Sequence, residues 1–236
     1  DHSDDQSFEK LKNIQFANKQ IIQLEQQSGR CFARNHGINL ASGKFCLFTN
    51  SNTIPEEFFL NKYIDLLSKS DIDGAAGIIN YSCQDDIFEK YLNGNQRGLK
   101  RFSENELLPI DYVLFGNCAI KSELLKSVNG FNEKLTGYGG EELELLSRIK
   151  NIKDLIIIKI NATVLRMNHP ILDKHCDRLA RFGETNFKLL PYEIQRTIIP
   201  PLILKIYKFL PIYIMSLELM MFNKIFRGKS FLLIKS

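Results

Sequence analysis

Cysteine is scarce and scattered in this 236-residue sequence, which contains five cysteines and no CxxC pair. Zinc sites and disulfide frameworks need cysteines at short, regular spacings, so neither is predicted. Reduced thiols are typical of cytosolic proteins, and we therefore expect a cytoplasmic protein. The first ten residues, DHSDDQSFEK, are polar and acidic and do not resemble a signal peptide.

A long uncharged apolar run is also missing. The most apolar segment, residues 198–226, is interrupted by Lys205, Lys208, Glu218 and three prolines. A membrane-spanning helix needs about 20 largely apolar residues, so this segment is a poor candidate for one. Two alternatives stay open. The segment forms either an interfacial helix that holds the protein at the inner face of the cytoplasmic membrane, or a helical extension packed on the preceding domain.

The charge balance is close to neutral, with 31 basic and 27 acidic residues and a net charge of +4. Nucleic-acid-binding proteins concentrate basic residues on one face, so we predict no nucleic-acid partner. The length allows one sizeable domain with a hydrophobic core and an appendage. We place the domain in residues 1–185 and an apolar, basic, helical C-terminal extension in residues 186–236.

Short apolar runs alternate with amphipathic segments along the chain, which predicts an α/β fold with a parallel sheet. Residues 84–112 are polar and irregular, so we expect a loop there. The predicted strands are residues 19–26, 44–50, 74–82, 112–120 and 155–160, and the predicted helices are residues 7–14, 31–43, 56–70, 121–131 and 141–150.

The segment GYGGEELELLSRI begins at Gly137 and places Glu141, Glu142 and Glu144 in the first turn of a predicted helix. Carboxylates are stabilised there by the exposed N–H groups and the helix dipole. Glu144 and Arg148 are also spaced for a favourable i,i+4 pair. The segment is therefore explained either by helix stability alone or by a reaction centre that uses the same carboxylates.

The surrounding sequence contains a longer ordered pattern. A GN pair is followed by NGFNE, then by GYGGEE, then by an arginine in the helix. These elements are Gly116-Asn117, Asn129–Glu133, Gly137–Glu142 and Arg148. The pattern resembles the signature of inverting GT-A-fold glycosyltransferases of the family 2 type, and is similar to galactosyltransferase and chondroitin polymerase domains. The resemblance implies a Rossmann-like nucleotide-diphospho-sugar transferase fold, with a mixed, mainly parallel sheet flanked by helices.

The upstream sequence agrees with this resemblance. Residues 33–55 are similar to the family segment in which Arg-Asn opens a helix and a strand delivers the metal-binding Asp-x-Asp motif. That motif here reads Asn50-Ser51-Asn52, so neutral amides replace the carboxylates that would bind Mg²⁺ or Mn²⁺. DHSDD resembles the end of the loop after the family's first strand, which implies that this strand is absent from the sequence. The resemblance covers about residues 1–175.

The resemblance also implies roles for individual residues. Glu142 would be the catalytic base, where the family has an aspartate, and Glu141 would hydrogen-bond a sugar. Tyr138 would stack on a sugar, where the family commonly has tryptophan. Asn52 and His169 would bind the divalent cation, Mn²⁺ or Mg²⁺. The further donor- or acceptor-binding residues that it implies are Arg34, Asn35, Asn117 and Gly140.

These observations predict a nucleotide-sugar-dependent hexosyltransferase of bacterial polysaccharide synthesis. Its donor would be a UDP sugar and its acceptor a glycan or a lipid-linked sugar. The alternative is a catalytically impaired relative that keeps the fold and binds a sugar or nucleotide, or serves as a partner subunit. The Asn-Ser-Asn sequence favours this alternative, because it lacks the charges of the metal motif.

Overall fold

The computed structural model describes residues 6–15 and 18–198. The strands within these ranges are β1 (Phe45–Thr49), β2 (Thr53–Pro55), β3 (Gly74–Cys83), β4 (Asn117–Lys121) and β5 (Ile157–His169). The helices are α1 (Ser7–Lys12), α2 (Arg30–Leu40), α3 (Phe59–Lys69), α4 (Asp86–Leu92), α5 (Ser122–Ser127), α6 (Glu141–Lys150), α7 (Leu172–Glu184), α8 (Asn186–Leu189) and α9 (Tyr192–Thr197). Two short 3₁₀ turns occupy Gly98–Arg101 and Ile110–Tyr112.

The described strands form one mixed sheet in the order β1-β4-β3-β5-β2. β3 and β5 pair in parallel, whereas β4 is antiparallel to both β1 and β3, and β2 is antiparallel to β5. Strands β1, β3 and β5 thus run in one direction. The predicted α/β class with a mixed sheet is confirmed, but the pairing is less parallel than predicted because β4 is inserted between β1 and β3.

Two stretches differ from the prediction. Residues 19–26 were expected to form a strand, but they have no regular secondary structure and pair with no strand of the described sheet. An apolar run becomes a strand only where a partner satisfies its backbone groups. Residues 84–112 contain α4 within the expected loop. Asp85 caps this helix, because its Oδ1 accepts a hydrogen bond from Phe88 N at 3.0 Å.

Helix α3 supplies a large part of the described core. Phe59 and Tyr63, one helical turn apart, are buried against Ala75 of β3 and against Ala162 and Val164 of β5. The alanines leave room for the two aromatic rings, which contact each other with centroids 5.3 Å apart. The amphipathic pattern of this helix in the sequence therefore corresponds to a buried face that covers the parallel pair of strands.

Asn117 is fully buried at the start of β4 and links this strand to β3 and β5. Its Nδ2 donates hydrogen bonds to Ile78 O in β3 at 3.0 Å and to Ala162 O in β5 at 2.9 Å. Its Oδ1 accepts a hydrogen bond from the Tyr63 hydroxyl at 2.8 Å. A single amide thus satisfies two strand carbonyls and one side chain of α3.

The position of Asn117 coincides with an irregularity in the sheet. The register between β3 and β5 shifts between Gly77 and Ile78, which leaves extra residues of β5 without a regular ladder partner. Ala162 lies in this bulge, and its carbonyl is the one that Asn117 satisfies. Gly77 is required beside it, because a Cβ at this position would lie 2.5 Å from Asn117 Nδ2.

The chain divides into two units, Asp1–Leu190 and Pro191–Ser236. The second unit has α9 as its described helix, and the apolar segment at residues 198–226 lies almost wholly outside the described residues. The predicted boundary between residues 185 and 186, and both alternatives for the apolar segment, therefore stay predictions. In the part of the chain that the structure describes, no helix is long and apolar enough to cross a membrane.

The hydrogen bonds of Asn117 predict its contribution to stability. We expect Asn117→Ala to lower the free energy of unfolding by about 3 kcal/mol, because it leaves two buried carbonyls and the Tyr63 hydroxyl without this partner. Tyr63→Phe removes only the hydroxyl and should cost about 1 kcal/mol. Urea denaturation of both variants measures the difference. An equal loss in the two variants would show that the contacts with the strand carbonyls do not stabilise the sheet.

Candidate functional site

Most of the candidate residues lie together at one edge of the sheet, where several strands end. The carboxyl ends of β1, β3 and β5 meet the amino end of β4 there, because Thr49 of β1 pairs with Asn117 of β4. Asn50 and Gly116, the next residues outward, lie against each other, since a Cβ on Gly116 would be 2.6 Å from Asn50 Nδ2. Ligands of open α/β sheets bind outside the carboxyl ends of strands, so this edge is the candidate site.

The glycine-rich segment that leads into α6 is held by a buried asparagine. Asn186 Oδ1 accepts a hydrogen bond from Gly137 N at 2.9 Å, and its Nδ2 donates to Gly139 O at 2.8 Å. Gly139 and Gly140 have φ angles of 83° and 84°, a left-handed conformation that favours glycine. This arrangement fixes Tyr138 and the first turn of α6. Asn186 was missed in the sequence, where no motif marks it.

Two arginines of α2 face the first two glutamates of α6. Arg30 Nε lies 3.0 Å and Arg34 Nη1 lies 3.6 Å from Glu141 Oε1. Arg34 Nη2 lies 3.3 Å from Glu142 Oε1. The Glu141 side chain is only 4% exposed, and its Oε2 is buried with no hydrogen-bond partner among the described residues. An unpaired buried carboxylate oxygen is costly, which makes this atom a candidate contact for a ligand.

Glu142 is more accessible than Glu141, with 19% of its side chain exposed. Burial raises the pKa of Glu142 above the usual value, Arg34 opposes this rise by favouring the charged form, and Glu141 adds to it. The backbone N–H of Phe115 also favours the charged form. A carboxylate with a raised pKa is a better proton acceptor than an ordinary glutamate, so Glu142 can serve as a base at this edge.

Asn35 holds the turn before the glycine-rich segment. Its Oδ1 accepts a hydrogen bond from Phe131 N at 2.7 Å, and its Nδ2 donates to Phe131 O at 2.9 Å and to Glu133 Oε1 at 2.8 Å. The predicted pair Glu144–Arg148 is present, with nitrogen–oxygen distances of 2.8 and 2.9 Å. The amide of Asn35 is thus committed to the turn, although the sequence predicted a contact with the nucleotide.

The other residues that were predicted to contact a ligand lie in different surroundings. Asn117, expected to contact the donor sugar, has both amide atoms bonded inside the protein and is 0% exposed. In this structure it therefore shapes the sheet edge, and its contact with the donor sugar stays a prediction. Gly140 is the N-cap residue of α6, with Phe182 Cε2 3.0 Å from where a Cβ would be. Tyr138 is half-buried, and the guanidinium carbon of Arg178 lies 5.8 Å from the centre of its ring.

His169 ends β5 inside a cluster of aromatic side chains. Its ring centre lies 4.8 Å from that of Tyr81, 5.9 Å from that of Phe88 and 5.4 Å from that of His175. Both ring nitrogens are buried and have no hydrogen-bond partner among the described residues. Burial and the positive charge of Arg166 lower the pKa of His169 to about 4, so the ring is neutral at pH 7.

Asn52 and His169, the two predicted metal ligands, do not form a site that fits Mg²⁺ or Mn²⁺. The Nδ2 of Asn52 donates to Met167 O at 2.7 Å, so this residue offers a cation at most one neutral oxygen. His169 offers a neutral nitrogen, whereas these cations favour several anionic oxygens. In residues 6–15 and 18–198, no group of three His, Cys, Asp or Glu side chains is arranged to hold a metal ion.

The chain is similar to known glycosyltransferase structures. The first is TarS of S. aureus, residues 1–349 in complex with UDP, with a TM-score of 0.54 and 19% identity over 70% of this chain. Another is GalNAc-T7 with UDP, GalNAc and Mn²⁺, with a TM-score of 0.46 and 13% identity over 63% of this chain. The chain covers 48% of the TarS structure and 32% of the GalNAc-T7 structure. The likeness to TarS confirms the GT-A fold.

Comparisons of the sequence with protein-family profiles also identify glycosyltransferases. No curated protein sequence matches the chain. The family profile described as the N-terminal domain of galactosyltransferase matches residues 99–169, which include the glycine-rich segment and all of α6. The profile of glycosyl transferase family 2 matches residues 1–128, more than half of the 236 residues. The chain belongs to glycosyl transferase family 2.

Proposed function

We propose that this chain is a catalytic domain that transfers a hexose or an N-acetylhexosamine from a UDP sugar to a glycan or lipid-linked acceptor, with inversion. Glu142 is the base. The observation that carries the proposal is the position of Glu142 at the ligand-binding edge of a GT-A sheet, partly exposed and 3.3 Å from Arg34. Family membership and the UDP in the TarS structure support a nucleotide-sugar donor.

In the proposed reaction, the acceptor hydroxyl oxygen attacks the anomeric carbon of the donor sugar. The bond between this carbon and the diphosphate oxygen breaks, and its electron pair leaves with UDP. The hydroxyl proton passes to the Glu142 carboxylate, which must be ionised beforehand. Attack on the face opposite the leaving group inverts the configuration of the anomeric carbon.

The neighbours of Glu142 orient the reactants. Glu141 Oε2 is buried without a hydrogen-bond partner among the described residues, and it accepts a hydrogen bond from a sugar hydroxyl. Tyr138 provides an aromatic face on which the C–H groups of a sugar stack. Arg34 and the backbone N–H of Phe115 hold the Glu142 carboxylate in place. The donor set at Asn52 and His169 does not fit a divalent cation, so we assign a cation no step.

Replacement of the base tests the proposal directly. We expect Glu142→Gln to lower kcat/KM for transfer from UDP sugars by about 100-fold or more, because an amide cannot accept the proton. Glu57→Gln, which changes an exposed glutamate next to α3, is the matched control and should leave the rate unchanged. Transfer and hydrolysis of a panel of UDP hexoses measure both rates. Nucleotide binding without turnover, equal in both variants, would favour the catalytically impaired relative.

The pH dependence provides a second test. The rate requires ionised Glu142, so kcat/KM should fall as the pH is lowered through its pKa, which burial raises above the usual value of a glutamate. In Arg34→Gln the charged form loses its partner, and we expect the acidic limb of the profile to move to higher pH. Arg34→Lys keeps the charge and should move it less. An acidic limb that lies in the same place in all three proteins would contradict the role of Glu142.

We also propose that the protein works in the cytoplasm, at the inner face of a bacterial membrane, on a surface polysaccharide. The support is the apolar segment at residues 198–226 and the basic residues within and after it. We expect the full chain to sediment with vesicles that contain anionic lipid and not with neutral ones. Equal, low sedimentation with both kinds of vesicle would contradict the membrane contact.

A further inference from the structure

Three arginines from three different elements surround the His169 end of β5. They are Arg97 from the loop after α4, Arg166 from β5 and Arg178 from α7. All three are half-buried, and none of them forms a salt bridge with a carboxylate among the described residues. Half-buried positive charges without counterions are unfavourable, so this arrangement favours a negatively charged ligand.

Arg97 is brought to this place by an asparagine. Asn93 Nδ2 donates to Tyr81 O at 2.8 Å, and its Oδ1 accepts a hydrogen bond from Tyr81 N at 2.9 Å. The loop that follows Asn93 is therefore fixed against the end of β3. The guanidinium carbon of Arg97 then lies 4.2 Å from the centre of the Tyr91 ring, which supports it.

Arg166 lies in the sheet between two strands of the candidate site. It pairs with Tyr81 of β3 on one side and with Thr53 of β2 on the other. It therefore directly neighbours the Asn50–Asn52 turn, and Asn52 bonds to the backbone of Met167, the next residue. The Nε of Arg166 is buried and has no hydrogen-bond partner among the described residues.

Arg178 is contributed by helix α7, which follows β5 in the chain. It lies on α7, three residues after His175, whose ring contacts His169 and Phe88. Its guanidinium carbon is 5.8 Å from the centre of the Tyr138 ring, which places it between the His169 cluster and the glycine-rich segment. A ligand held by Arg178 would thus extend toward the first turn of α6, where the candidate base Glu142 lies.

Electrostatic effects agree with this geometry. The positive charges of Arg166, Arg178 and Arg97 all act on the His169 ring, as expected for three side chains that lie near it. Glu89, beside the end of β3, accepts a hydrogen bond at its Oε2 from Cys83 N at 2.6 Å and forms no salt bridge with these arginines. Among the described residues, no carboxylate lies within salt-bridge distance of any of the three arginines.

We propose that Arg97, Arg166 and Arg178 bind the diphosphate of the nucleotide-sugar donor directly and so take the place of a divalent cation. Guanidinium groups bind phosphate oxygens through two parallel hydrogen bonds and keep their charge at any physiological pH. During transfer they stabilise the negative charge that develops on the departing diphosphate. The assignment of the anion as a donor diphosphate rests on the proposed function, whereas the anion site itself does not.

Calorimetric titration with pyrophosphate and with UDP, both in EDTA, tests this inference. We expect both ligands to bind without a metal ion. Arg166→Gln and Arg97→Gln should each weaken binding about tenfold or more, since each removes charged hydrogen bonds. Arg181→Gln, which changes an exposed arginine elsewhere on α7, is the matched control and should bind as the unchanged protein does. Arg97 lies in a loop, so its variant remains informative if Arg166→Gln fails to fold.

The outcomes separate the two proposals. Pyrophosphate binding that depends on Arg97 and Arg166, together with UDP binding no tighter than that of pyrophosphate, supports the anion site and contradicts a UDP-sugar donor. UDP binding that appears only when Mn²⁺ is added overturns the inference but leaves the proposed function intact. Metal-free binding that is unchanged in both arginine variants also overturns the inference, and so does the absence of pyrophosphate binding in EDTA.

Discussion

The buried amide nitrogen of Asn117 donates hydrogen bonds to one carbonyl in β3 and one in β5, while its backbone belongs to β4. This contact holds together a sheet in which β4 runs against its neighbours and β5 bulges. Because of it, the amino end of β4 and the carboxyl ends of β1, β3 and β5 form one edge. The turn after β1, the end of β5 and the region beside Phe115 can converge on one ligand only while this edge is maintained.

Charge is distributed at this edge in two different ways. On the α6 side, Arg30 and Arg34 are paired with Glu141 and Glu142, so charges of opposite sign compensate each other. On the His169 side, the arginines have no acidic partner among the described residues. A donor in which a negatively charged diphosphate is bonded directly to the anomeric carbon of a neutral sugar fits this polarity. Its diphosphate would meet the arginines, and its sugar would meet the glutamates.

The sequence predicted the local features well, because helix α6, its glycines and the pair Glu144–Arg148 depend on neighbouring residues. It also named Glu142, which lies at the candidate site. The roles of Asn117 and Asn186 were not predicted, since each depends on carbonyls or N–H groups brought close only by the fold. The strand expected at residues 19–26 failed for the same reason, because apolar residues do not supply the partner strand that their backbone needs.

The neutral residues at positions 50–52 and the unpaired arginines both leave positive charge available to bind a diphosphate. Arg166 neighbours Thr53 in the sheet, so aspartates in place of Asn50 and Asn52 would lie beside it. Their negative charges would attract the guanidinium group of Arg166. An arginine paired in this way would bind a diphosphate less strongly, and a divalent cation would be needed to restore the positive charge. With asparagines there, no acid at positions 50–52 compensates the charge of Arg166, which is then available to the ligand. Asparagines without the arginines would leave a diphosphate uncompensated, so the two features make physical sense only together.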